Sequence, residues 1–524
     1  MTATGTVIVG AGFAGIAAAL ALRAQGVDDF VILERASAVG GTWRDNTYPG
    51  VACDVPSHLY GLSAHPWPEW SHVFAPGAEI RAYLERIVRR EGLERHLRLA
   101  TPMLDARWDG EEWAIRTGRA HNAGIPERVA PVKRVLGPSA DGIPASCADD
   151  ELRASHLVLA CGRLTEPRIP DLPGLESFGG PIFHSSRWDH TVDVPGRRIA
   201  VVGTGASAVQ LVPALAAAGA DVVLFQRTPA WIVPKRDRVY SEAERDALRD
   251  PDEAARLRER LYDDGEARFA SRSGDAVAAA EAETAARAHL AAQVGDPALR
   301  DALTPSYAFG CKRVLLSDDF YPAVASGSVD LVPSALSSVS DGALVAADGS
   351  RHDADVVVLA TGFASTRQPW APLVAGAHGL TLEEHWADGM TSVGSTLVHG
   401  FPNLFVLGGP NAALGHNSAV LIVEEQAAFA AALIRDGAFV HATSEAEAAY
   451  TREIVERSAA TPWVAGGCDN WYVDERSGRL TLLWPGTVAA FRERLARVRN
   501  ELTDLHAAGT NPAAPALSHE GAAP

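Results

Sequence analysis

The chain is poor in cysteine. Its 524 residues hold five, Cys53, Cys147, Cys161, Cys311 and Cys468. None forms a Cys-x-x-Cys pair, and no spacing matches a metal-ligand set. This argues against a disulfide reductase and a metal centre, and predicts a reduced, cytoplasmic protein. Positive charge is also in deficit: 47 Lys and Arg stand against 65 Asp and Glu, a formal net charge of −18. Such a surface repels nucleic acid and anionic membranes, so neither is expected as a partner. Long apolar runs are missing too. No stretch of about 18 apolar residues offers a bilayer span. The apolar N-terminus begins with no basic region, unlike a signal peptide.

What is present is a globular composition, 47% hydrophobic and 21% charged, on a chain long enough for about three domains. The first organised stretch is Thr6-Val7-Ile8-Val9, then Gly10-Ala11-Gly12-Phe13-Ala14-Gly15, an Ala/Leu helix from Ile16 to Gln25, and Phe30-Val31-Ile32-Leu33 ending at Glu34. This is a complete strand–loop–helix–strand fingerprint for a dinucleotide. Gly10 permits the tight turn, Gly12 lets the backbone approach the pyrophosphate, and Gly15 lets helix and strand pack closely. The helix N-terminus attracts phosphate, and the Glu34 carboxylate accepts from ribose hydroxyls.

A second unit starts at Arg198-Ile199-Ala200-Val201-Val202 and continues with Gly203-Thr204-Gly205-Ala206-Ser207-Ala208. Its helix is expected from Ser207 to about Ala218, and its next strand, Asp221 to Phe225, ends in Gln226-Arg227-Thr228. An arginine now stands where the first unit has an acid. Arginine favours a 2′-phosphate, so the first unit reads as an FAD site and the second as an NADPH site.

Between and after these units the pattern is coarser. Ile80–Glu91 reads as an amphipathic helix, 103–117 as a hairpin, and Gly118–Asp150 as a long loop. His156–Gly162 and Ala354–Gly362 read as buried strands ending in small residues. Residues 241–303 read as an inserted helical subdomain of two or three helices. Phe405–Pro410 reads as a last core strand, followed by a loop with His416 and Asn417 and a helix from Ser418 to Asp436. That helix N-terminus is suited to stabilise negative charge, and the two loop residues are either site groups or loop structure. A strand is expected at Leu480–Trp484, a helix at Thr487–Leu502, and disorder from His506 to Pro524. The fold class is therefore α/β, two Rossmann-like dinucleotide-binding domains with a helical insertion. Residues 1–165 and 380–505 form the FAD domain, and 166–379 the NADPH domain.

Two further motifs carry a resemblance. Phe178-x-Gly180-x3-His184-x3-Trp188-Asp189 lies just before the second glycine loop, and Gly41-x-Trp43-x4-Tyr48-Pro49-Gly50-x3-Asp54 follows the first unit. Both resemble fingerprints of the type I Baeyer–Villiger monooxygenases, and the resemblance spans most of residues 5 to 500. It implies an FAD- and NADPH-dependent enzyme that uses O2, through a peroxide on the flavin, to turn a ketone into an ester or lactone, with sulfoxidation as a side activity. It implies that Arg313 faces the flavin and Asp54 pairs with it, and that Lys312 binds the 2′-phosphate. It also implies that His184 and Trp188 couple the domains and hold the nicotinamide cofactor, that Trp471 touches that cofactor, and that Gly41 and Trp43 wall the flavin. A flavin N- or S-monooxygenase shares both glycine units. Its linker motif usually ends in Tyr or Phe, where this chain has Trp188-Asp189. An NADPH oxidase would carry the same two nucleotide sites, and so would a non-catalytic nucleotide-binding protein. The expected state is a monomer or weak homo-oligomer.

Overall fold

The computed structural model describes residues 2–118, 150–437 and 439–507. Almost all of the loop expected at Gly118–Asp150, and Cys147 with it, lies outside the described residues. So does the tail beyond residue 507. His506 and Ala507, expected in that tail, instead continue the final helix, Val488–Ala507.

Two sheets carry the fold. In the first, the order is Val374–Ala375, Met103–Trp108, Trp113–Thr117, Asp150–Leu159, Thr2–Val9, Phe30–Leu33, Leu97–Arg98. The long Asp150–Leu159 strand serves two neighbours along one edge. Its first half pairs antiparallel with the hairpin strand Trp113–Thr117, and its last three residues pair parallel with Leu404–Val406. Val374–Ala375 pairs with Met103–Trp108. These two residues therefore belong to the first sheet, not to the second unit in which their position in the sequence put them. So short a strand has no local periodicity, and only its partner defines it.

The second sheet is all parallel, ordered Val329–Val332, Asp221–Phe225, Arg198–Val202, Val356–Leu359, Ile182–His184. Parallel sheets are covered on both faces and so read as unbroken apolar runs. Ile199 and Val201 enter one core, and Ala200 and Val202 the other. Both layers are closed to solvent. The Phe178–Asp189 stretch is thus more than a connector. Its centre, Ile182–His184, is the edge strand of this sheet.

The 241–303 insertion holds five helical segments rather than two or three: Glu242–Ala247, Pro251–Ala267, Ala270–Ser273, Ala276–Gln293 and Pro297–Ala302. The extra breaks follow from capping. Ser241, Asp250, Asp275 and Asp296 each accept a hydrogen bond from a backbone N–H in the first turn that follows. Each such cap starts a new helix. No continuous strand forms at Leu480–Trp484. Leu480 and Leu483 make only isolated bridges, to Val473 and Ala413, although backbone hydrogen bonds tie the stretch to Asn411, Ala413 and Tyr472.

Candidate functional site

Both glycine loops form as their sequences require. Gly10 and Gly203 have φ of +108° and +110°. A Cβ on either would meet a carbonyl oxygen, that of Ala160 at 2.5 Å or that of Ala360 at 2.6 Å. A Cβ on Gly15 would lie 1.8 Å from the Gly10 oxygen, so helix and loop touch through bare backbone. The helices that follow, Phe13–Ala24 and Ala206–Ala217, have no side-chain N-cap. Their first N–H groups are left for a ligand, in contrast to the capped insertion helices.

The first loop opens into a long cleft walled by Gly10, Gly12, Glu34, Gly41, Trp43 and Arg163. The Glu34 carboxylate, almost fully buried, accepts from the N–H groups of Ala11 and Ala36, each at 2.9 Å, and pairs with Arg44 at 3.1 Å. A Cβ on Gly41 would come within 3.1 Å of the Gly12 Cα, so two glycine backbones close the cleft from opposite sides. Trp43 donates its indole N–H to the Tyr60 hydroxyl at 3.2 Å. A flat, elongated dinucleotide such as FAD fits this chemistry. It would meet backbone N–H groups at the helix start, a carboxylate for the ribose, and an aromatic wall.

Asp54 and Arg313 are 259 residues apart, yet they meet. Arg313 donates Nε–H to Asp54 Oδ2 at 2.8 Å, and its Nη2 lies 2.6 Å from the same oxygen. The Asp54 carboxylate holds Arg313 charged more firmly than usual, against the opposing effect of burial. Tyr60, on the cleft wall, feels both charges, which sets the pair beside the cleft. On the second sheet, Arg227 is exposed beyond the strand end, and the Thr228 carbonyl accepts from the Thr204 hydroxyl at 2.8 Å. Ala208 is fully buried in the helix that follows Gly205. The Lys312 pKa is lowered by burial and by the charge of Arg227. Lys312 thus feels the charge of Arg227, a cation from a distant segment of the chain.

His184 is 2% exposed and Trp188 packs edge-on against Phe183. Tyr48 shares Trp188's core, and the Thr47 hydroxyl lies 2.8 Å from His190 Nε2. The residue just after the linker motif therefore touches the Gly41–Asp54 motif, and both motifs feed one core. Burial lowers the His184 pKa to about 4. A folded-state value below the unfolded one means that the unfolded chain takes the proton first. Burial of His184 is therefore neutral above pH 6.5 and destabilises as pH falls from there toward 4, by at most about 1.4 kcal/mol per pH unit. The melting temperature of a His184→Asn variant should fall less over that window than that of the parent. Parallel pH curves would remove His184 from the acid response.

His416 and Asn417 turn away from this chemistry. His416 Nε2 lies 3.3 Å from Glu266, Asn417 donates to Glu266 at 3.1 Å, and Val488 N–H donates to it at 2.9 Å. A Cβ on Gly265 would sit 2.4 Å from Asn417 Cγ. These residues clamp the insertion to the first sheet's domain, so of the two roles open to them the loop-structure role fits. Trp471 is 37% exposed, with its ring 4.6 Å from that of Tyr472.

The expectation of a fully reduced chain is overturned. Cys311 and Cys468 form a disulfide across a sequence separation of 157. The bond ties the Lys312-Arg313 turn to the loop bearing Trp471. No spacing rule announces it, because the fold alone brings the two cysteines together. Cys53 and Cys161 are free. Three more residues by the site, Tyr60, Arg163 and Tyr472, carry no motif of their own in the sequence. Arg163 directly follows the small-residue strand end at Gly162, and Tyr472 directly follows Trp471, and those positions were the available signals. Among the described residues no cluster of His, Cys, Asp and Glu is suited to a metal, and no helix is long and apolar enough to cross a membrane.

Residues 4–252 match the family described as pyridine nucleotide-disulphide oxidoreductase. The chain is 42% identical to a Baeyer–Villiger monooxygenase of Streptomyces coelicolor over 94% of this chain and 90% of that one. It is 36% identical to another from Pseudomonas aeruginosa, over 93% and 88%. Among solved structures, an oxidized steroid monooxygenase bound to NADP matches with a TM-score of 0.78 at 29% identity, covering 95% of this chain and 98% of that one. A cyclohexanone monooxygenase from Rhodococcus sp. Phi1 bound to NADP+ matches at 0.79 and 25%, with the same coverage. With two glycine loops, a paired arginine and full-length relatives in agreement, the chain belongs to the Baeyer–Villiger monooxygenase family of flavoprotein oxidoreductases.

Proposed function

We infer that the protein binds FAD and NADPH and oxidises a ketone with O2, giving an ester or lactone, NADP+ and water from ketone, NADPH, a proton and O2. The observation that carries this reading is the Asp54–Arg313 pair beside the flavin cleft. Bound FAD would supply two-electron chemistry, taking a hydride from NADPH and passing the electrons to oxygen. The residues supply the rest. Arg313 places a permanent cation where negative charge develops at the cleft. Asp54 aims that cation and offsets it. Gly10, Gly12, Gly15, Glu34, Gly41 and Trp43 hold FAD. Gly203, Gly205, Ala208, Arg227, Thr228 and Lys312 hold NADPH, and His184, Trp188 and Trp471 position it. Residues 1–165 and 380–505 would act as the FAD domain and 166–379, less its two-residue contribution to the first sheet, as the NADPH domain.

The test is product formation. A yellow protein that consumes NADPH and yields esters or lactones from a ketone panel, with little hydrogen peroxide released, supports the reading. Oxidation confined to amines and sulfides would move it to the N- or S-oxygenases. Peroxide alone across the whole panel would make it an NADPH oxidase. Coenzyme choice gives a separate check. Removing both cations in an Arg227→Ala/Lys312→Ala double variant should raise KM for NADPH about 10- to 100-fold, the worth of one charge-assisted contact. KM for NADH should barely move. Equal losses with both coenzymes would free these residues from the 2′-phosphate.

A further inference from the structure

The Cys311–Cys468 disulfide joins two segments of unequal firmness. On one side, Cys311 is fully buried in a small core with Trp231, Tyr307, Phe309 and Val314. The Trp231 indole donates to the Tyr307 carbonyl at 3.0 Å, and the Trp231 carbonyl accepts from the Leu315 N–H at 2.8 Å. Trp231 thus grips the turn on both flanks of Cys311, whether or not the sulfurs are bonded.

The other side is looser. Residues 466–472 form no helix or strand, and Cys468 is only half-buried. Trp471 is 37% exposed. Asn470 donates to the Trp463 carbonyl at 2.7 Å and accepts from the Tyr472 N–H at 2.9 Å, so these bonds stay within the loop's own segment. Across to the turn, the Ala308 N–H donates to the Gly466 carbonyl at 3.1 Å. There the backbones press together, since a Cβ on Gly466 would lie 2.9 Å from the Cys311 Cβ. Past Trp471, Tyr472 is anchored in the first sheet's core. Opening the disulfide would therefore leave the turn in place and free the stretch from Gly467 to Trp471. The sequence positions give this meaning. Cys311 immediately precedes Lys312 and Arg313, and Cys468 lies three residues before Trp471. One covalent bond couples the two cations to the loop that carries the tryptophan.

We propose that this disulfide is a redox-controlled positioning device for the nicotinamide cofactor. Closed, it holds the Trp471 loop against the Lys312-Arg313 turn. Opened, it releases the loop, loosens the cofactor's seat and lets hydrogen peroxide escape faster. This rests on the reading that Lys312 and Trp471 hold NADPH, and it adds control over that hold. The opening reagent is a dithiol. One of its thiolates attacks Cys468 Sγ, the less buried sulfur, forming a mixed disulfide and expelling Cys311 as a thiolate that takes up a proton. The second thiol of the reagent then displaces Cys468. The reagent leaves as a cyclic disulfide, and the protein gains two electrons and two protons. Hydrogen peroxide reverses the change, oxidising the two thiols to the disulfide and leaving as two waters.

The experiment uses the FAD-loaded enzyme, purified without reductant. Alkylation before digestion, followed by peptide mapping, should recover a linked Cys311–Cys468 pair that dithiothreitol abolishes. Reduced and desalted enzyme should show a KM for NADPH raised about 2- to 10-fold, the usual worth of ordering a freed side chain on binding. The rate of hydrogen peroxide release without ketone should rise as well, while flavin reduction at saturating NADPH keeps its rate. A pulse of hydrogen peroxide, then its removal by catalase, should restore the starting values. Cys468→Ser, at the less buried end, should show the reduced enzyme's values and ignore dithiothreitol. Retained flavin absorbance certifies that this variant folds. Absence of the linked pair would overturn the proposal. So would a lower melting temperature on reduction with KM and peroxide release unmoved, which would make the bond a structural staple only. None of these readouts needs a ketone. An enzyme that forms esters yet ignores dithiothreitol keeps the parent reading and loses this one.

Discussion

Arg313→Ala is expected to leave flavin reduction by NADPH within a few-fold of the parent and to lower ester formation at least 100-fold. The second figure is the usual effect of removing one preorganised charge from a developing anion. The split follows from where the residue sits. Arg313 pairs with Asp54 beside the cleft, whereas hydride delivery would depend on the NADPH site proposed on the second sheet. Stopped-flow bleaching of the flavin reports the first step, and gas chromatography of the ester reports the second. Asp54→Ala should show a milder form of the same split, since the cation stays but loses its aim. Losses of equal size in both steps would mean that Arg313 only supports the fold. Undiminished ester formation would remove it from the chemistry altogether.

Gly10→Ala should give a protein that purifies nearly colourless. The added methyl meets two obstacles at once. At φ of +108° an L side chain is strained, and its Cβ would lie 2.5 Å from the Ala160 oxygen. That neighbour is backbone in the Asp150–Leu159 strand's exit, so it cannot rotate away. Strain of this kind costs about 1–3 kcal/mol, to which the contact adds. FAD affinity should fall by about 100-fold or more, and added FAD should restore colour only at high concentration. Gly12→Ala is the contrasting control. Its Cβ would rest 3.5 Å from Gly41 Cα, an ordinary contact within the cleft wall, so any loss there reports the approach of the pyrophosphate itself. A Gly10→Ala protein with normal yellow colour and affinity would show that the turn tolerates rearrangement.

The parts of this molecule that were legible in the sequence are those whose physics is local. A glycine that must turn, a strand buried on both faces and a helix with an apolar stripe all leave their pattern within a few residues. Hence both glycine loops, the second sheet's core strands and the Ser418 cap were readable. Asp54 and Arg313 were readable for a different reason. Each sits in a motif that resembles a family's fingerprint, and nothing in either local pattern says that they touch. What stayed hidden was long-range. The Cys311–Cys468 bond and the Val374–Ala375 strand are each set by the completed fold. The insertion failed for another cause. Its composition is uniformly helical, but the helix count is fixed by single capping residues, Asp250, Asp275 and Asp296, which periodicity alone passes over.

The first sheet draws its strands from both ends of the chain, and this sets an order of events on the ribosome. The second sheet is complete once Leu359 has emerged, because all five of its strands lie between Ile182 and that residue. The first cannot close until Leu404–Val406 arrives to cover Leu157–Leu159. At bacterial or eukaryotic elongation rates, the interval between these two segments of the first sheet lasts roughly 10 to 50 seconds. Throughout it the Leu157–Leu159 end of the long strand presents a bare apolar edge of the kind that pairs with other chains. The sheet that starts later in the sequence is thus the earlier one to be complete, and the sheet begun at Thr2 is finished only with Leu404–Val406. Slowed synthesis between residues 160 and 404 would lengthen the exposure of that edge, and aggregation during expression, not loss of activity, would be the first sign of it.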